Sequence, residues 1–62
     1  MSADDPALSS LATTLADLER QLAAAAHRYE QTDHDDVVAS LYEAERSVRN
    51  GWRSVERARQ LL

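Results

Sequence analysis

The stretch LSSLATTLADLERQLAAAAHRY, residues 8–29, decides the fold. Leu8, Leu11, Leu15, Leu18, Leu22, Ala25 and Tyr29 recur at alternating spacings of three and four. That is a heptad seam, with Leu8, Leu15, Leu22 and Tyr29 at a and Leu11, Leu18 and Ala25 at d. It predicts an amphipathic helix meant to lie against another helix. Thr13, Asp17, Glu19, Arg20 and Gln21 fill the polar positions between. The run Ala23–Ala26 combines high helix propensity with the smallest side chains, so a neighbouring backbone can come close there.

Upstream, Asp5 is a suitable N-cap, and Pro6 suits the first helical position, where its missing N–H would have had no helical partner. Downstream, EQTDHDD at residues 30–36 interrupts the apolar pattern without Gly or Pro. Thr32 and Asp33 are candidate caps for a second helix, and Asp35 and Asp36 would face the partial positive charge of its first turn. Helix one is therefore expected over about residues 6–30, a link over about 31–33 and helix two over about 34–62.

Helix two carries Val37 and then Leu41, Val48, Val55 and Leu62, the last four seven residues apart. One flank of this stripe is small, with Ala44, Gly51 and Ala58. The other holds Val38, Glu45, Trp52 and Arg59. Large beside small suits a packed helix interface. Asn50-Gly51 is a turn signal inside the pattern, which leaves two readings. Both the apolar register and the arginine register run through it without a slip, favouring one continuous helix, with a kink at 50–51 as the alternative.

Two long helices joined by so short a link must run antiparallel, giving an all-α helical hairpin. Its registers would set Trp52 against Ala12 or Ala16 and Asp17 near Arg46 to Arg49, with the acidic start of the chain near Arg57 and Arg59. A lone pair of helices cannot cover seams this wide. Self-association into a four-helix bundle, or docking on a larger protein, would complete the fold. In overall plan the chain resembles Rop-type proteins, short heptad-bearing hairpins that dimerise into a four-helix bundle and bind RNA hairpins. The likeness is one of plan alone and carries no residue role onto this sequence.

Composition narrows the function. With 62 residues, one Gly, one Pro and no Cys, the chain is a single small unit without disulfides or thiolate metal sites. Seven Arg and no Lys fit a GC-rich bacterial gene. The longest apolar run, Leu22–Ala26, is too short to span a bilayer, and Met1 to Asp5 lack a signal peptide's positive segment, so a cytoplasmic protein is the expectation. The net charge of −4 hides an asymmetry: residues 1–45 sum to −8 and residues 46–62 to +4.

Within the basic part, Arg46, Arg49, Arg53 and Arg57 share one helical face that would reach phosphates or an acidic partner. Because the whole chain is acidic, a solvated face with ion pairs is the stronger reading. His27 and His34, with Glu30, Asp33, Asp35 and Asp36 nearby, do not follow the Glu-x-x-His pattern of bundle metal sites, so no metal is expected. No nucleophile–base arrangement or phosphate-binding glycine loop is present, so neither catalysis nor a cofactor is expected. Acid-rich polar faces argue against a membrane surface. The expected role is that of a protein-interaction module, an assembly or regulatory subunit acting through Leu11, Leu15, Leu18, Leu22, Leu41, Val48, Trp52 and Val55. Trp52 reads equally as its anchor or as a core residue, and Tyr29 and Tyr42 would close the link end. A small nucleic-acid-binding regulator using the arginine strip is the alternative.

Overall fold

The computed structural model describes residues 5–62. Two helices, α1 (Pro6–Tyr29) and α2 (Asp35–Gln60), pack against each other. Among the described residues there is no strand. Contacts from Glu30 to Tyr42 and from Glu19 to Arg49 show that the helices run antiparallel. The result is a hairpin one helix thick, with principal extents of 52 × 14 × 11 Å.

Local chemistry sets the ends. The Asp5 carboxylate accepts the N–H groups of Ala7 at 2.9 Å and Leu8 at 3.3 Å, and Pro6 begins the helix. These are donors that no helical carbonyl can satisfy. At the other end Thr32 serves both helices. Its hydroxyl donates to the Tyr29 carbonyl at 2.7 Å and accepts the His34 N–H at 3.3 Å.

That double bond corrects the expected capping. Thr32 closes α1, while the cap position of α2 is held by His34, whose side chain makes no capping bond. Asp36 instead accepts the N–H of its neighbour Val37 at 2.8 Å. The connection consequently occupies residues 30–34, longer than the three-residue link expected, and α2 stops at Gln60. α2 runs through Asn50-Gly51 as one helix, and Gly51 has no positive φ. The helical hydrogen-bond ladder outweighs the turn preference of that dipeptide, because a single Gly costs only about 1 kcal/mol in a helix interior.

The packing line is made of small residues. Ala12 and Ala26, at 4% and 0% exposure, are the only buried residues among those described. By contrast Leu11 and Leu18 stay 51% and 40% exposed, and Leu8, Leu15 and Leu22 are half-buried. At 3.6 residues per turn the leucine seam lies roughly 60° around α1 from the line through Ala12, Glu19 and Ala26. α1 thus meets α2 through its alanine side, and its leucines form a shoulder beside the contact.

Candidate helix-docking face

The two helices place their uncovered apolar sides on the same face of the hairpin. On α1 this face carries Leu11, Leu18 and Ala25, flanked by half-buried Leu15 and Leu22. Around Ala25 the shoulder dips into a shallow depression of about 420 Å³, bordered by Leu18, Leu22 and Arg28. On α2, half-buried Val37, Ala44, Gly51 and Val55 and exposed Ala58 turn the same way. A Cβ added at Gly51 would meet nothing within 4 Å, so the surface there is open. Leu41, Val48 and Trp52 lie nearer the contact between helices and are half-buried.

Sequence reasoning missed part of this face. Ser40, Ser47 and Ser54 lie between the small residues, so that Ser40, Ala44, Ser47, Gly51, Ser54 and Ala58 alternate at spacings of four and three. Read singly the serines look like solvent-facing polar residues. Their seven-residue spacing was the available signal. Ser54 shows how such a residue loses its polar demand, since its hydroxyl donates to the Asn50 carbonyl of its own helix at 3.1 Å.

The rest of the charged surface is paired in part. Arg49 reaches across to Glu19 at 2.6 Å and along its own helix to Glu45 at 3.2 Å. The bond to Glu19 holds its guanidinium pKa above the ordinary arginine value. Asp17, expected beside Arg46 to Arg49, pairs instead with Arg20 one turn along α1. Glu19 wins because it lies on the side of α1 that faces α2, whereas Asp17 points away. Arg57 donates to Ser54 at 2.9 Å, and Arg59 pairs with Glu56 at 2.8 Å. Exposed Arg46 and Arg53 make no ion pair among the described residues. The four arginines do not act as one free strip, because Arg49, its second member, is already satisfied. The pairing expected between the start of the chain and Arg57 and Arg59 lies partly outside the described residues.

At the link end the Tyr42 hydroxyl donates to the Glu30 carboxylate, whose other oxygen lies 3.3 Å from His27 Nδ1. The bond from Tyr42 is the main cause holding the Glu30 carboxyl below its ordinary 4.5, and the same bond pushes the Tyr42 phenol above 10.0. Tyr29 stands edge-on to His34, with ring centroids 6.0 Å apart at 83°. Among the described residues no three His, Cys, Asp or Glu groups come together to hold a metal ion, and no helix is long and apolar enough to cross a membrane. Comparison with protein-family models, with curated proteins and with solved structures finds no match to this chain.

Proposed function

We propose that the protein is a non-catalytic interaction module, an assembly or regulatory subunit that docks helices of a second protein chain onto its leucine face. The observation that carries this reading is the exposure left after the hairpin has formed: Leu11 at 51% and Leu18 at 40%, with only two alanines sealed among the described residues. Surface area supports it. A compact 6.9 kDa chain is expected to expose about 4000 Å², whereas this hairpin exposes 4656 Å². The difference is close to what one partner contributes to a standard interface, about 800 Å². Large apolar side chains left exposed side by side on a small protein mark a contact site.

Leu18→Glu tests the reading. A glutamate at a 40%-exposed position has room in the hairpin itself but places a charge in any helix docked over it. Sedimentation equilibrium of the wild type should give a mass above 6.9 kDa, or partner-dependent folding if the docked helices belong to another protein. The variant should lose association and, with it, most of its helical circular dichroism. A wild-type chain that melts cooperatively as a monomer, with a Leu18→Glu melt to match, would overturn the proposal.

A further inference from the structure

We infer that the face is occupied by a second copy of this chain, in a two-fold pairing that keeps both links at the same end of the bundle. This inference rests on the docking reading above and names its partner.

A two-fold interface must be complementary to itself, carrying both a projection and the recess that receives it. This face carries both. Leu11 and Leu18 on α1 form a ridge with a repeat of seven residues, and Ala44, Gly51 and Ala58 on α2 form a furrow with the same repeat. At 1.5 Å per residue each repeat is about 10.5 Å long, so ridge and furrow stay in step along their length.

The link has already fixed their register. Side chains cross between the helices from Arg49 to Glu19 and from Tyr42 to Glu30. From these two pairs, Leu18 lies level with residues 50–54 and Leu11 with residues 57–61. A two-fold axis parallel to the helices lays α1 of each copy over α2 of the other and leaves every residue at its own level. Leu18 then falls over the furrow at Gly51, and Leu11 falls over it one heptad on, at Ala58. Each is a knob over small residues, and the surface at Gly51 is open.

The other two-fold pairing, with links at opposite ends, lays ridge on ridge and furrow on furrow. Leucines then hold the α1 helices apart while small residues opposite ask the α2 helices to approach, and rigid hairpins cannot satisfy both spacings without voids. Charge favours that second arrangement, because it takes the acidic link of one copy away from that of the other. The groups concerned, Glu30, Asp33, Asp35 and Asp36, are all exposed, and salt screens exposed charges over about 8 Å. Packing therefore decides. The pairing also supplies an occupant of the right size, since the helices of a second hairpin are as long as the face they cover.

Three measurements on the full chain test this. The sequence has no Cys, so Asp33→Cys carries a single spin label at the link. Pulsed electron resonance should find the two labels within about 25 Å, two interhelical spacings plus the label arms. Labels nearly the molecule's 52 Å length apart would overturn the arrangement while leaving the docking reading intact. Gly51→Leu fills the furrow from a position where a Cβ meets nothing in its own hairpin and should weaken dimerisation at least about tenfold, whereas Arg46→Leu on the far edge should not. Equal dimerisation of the two variants would overturn the furrow. A chain unfolded alone and folded only with a different protein would remove the second copy but keep docking. A stable monomer would remove both.

Discussion

Tyr42 and Glu30 hold the link end of the hairpin through one bond between a phenol and a carboxylate, and the ionisation of both partners sets its working range. Glu30 titrates below its ordinary 4.5 in the folded chain, so its contribution is present above that value and is lost as acid protonates the carboxylate. Tyr42 titrates above 10.0, so its contribution is present below that value and fades as alkali removes the phenolic proton. Tyr42→Phe should lower the melting temperature between these limits and should flatten the loss of stability expected of the wild type below pH 4.5. Because Glu30 is exposed and Tyr42 only half-buried, the change is small. Melting curves at a fixed protein concentration on either side of that pH would measure it, and an unchanged acid limb in the variant would show that the bond does not form in solution.

At the scale of the helix, α2 keeps its course through Asn50-Gly51 although that dipeptide favours a turn. Gly51→Ala should raise stability by roughly 0.5–1 kcal/mol from helix propensity. It adds a methyl where nothing lies within 4 Å, and Ala44 and Ala58 already occupy the equivalent positions one heptad away. Urea titration followed by circular dichroism should show a higher midpoint with an unchanged slope.

The helices were legible because their signals repeat. Seven seam positions from Leu8 to Tyr29 and four from Leu41 to Leu62 outvote any single residue, including Gly51. What could not be read was which side of α1 meets α2. Alanine supports a helix on any side, so Ala12 and Ala26 gave no periodic warning that they, rather than the leucines, would be sealed. Thr32 was ambiguous in the same way. Its hydroxyl could have capped the helix after it, and it closes the helix before it instead. Nor did spacing alone tell Asp17 from Glu19 as the partner of Arg49, since they differ by two residues and hence by more than half a turn. The leucine positions could be named from the pattern; their rotation away from α2 required coordinates.

For the whole molecule, the dominant fact is how little a single copy seals off. A protein whose apolar side is closed only by a second copy has a stability tied to concentration. Each tenfold dilution should cost a dimer about 1.4 kcal/mol of apparent stability. Thermal melts of the unmodified chain across a hundredfold range should therefore shift steadily downward on dilution. A midpoint indifferent to concentration would mean that the leucine shoulder is tolerated in water, and the docking proposal would fall with it.

That Ala12 and Ala26 alone are sealed among the described residues also bears on the lifetime of the chain. Amide protons along such a thin hairpin have little to keep them from the solvent, and local opening leaves peptide bonds within reach of proteases. A newly made copy that finds no companion would be short-lived, and one that does would persist. The amount kept in a cell would then follow the supply of companions more closely than the rate of synthesis, so the greasy flank would act as the molecule's own timer.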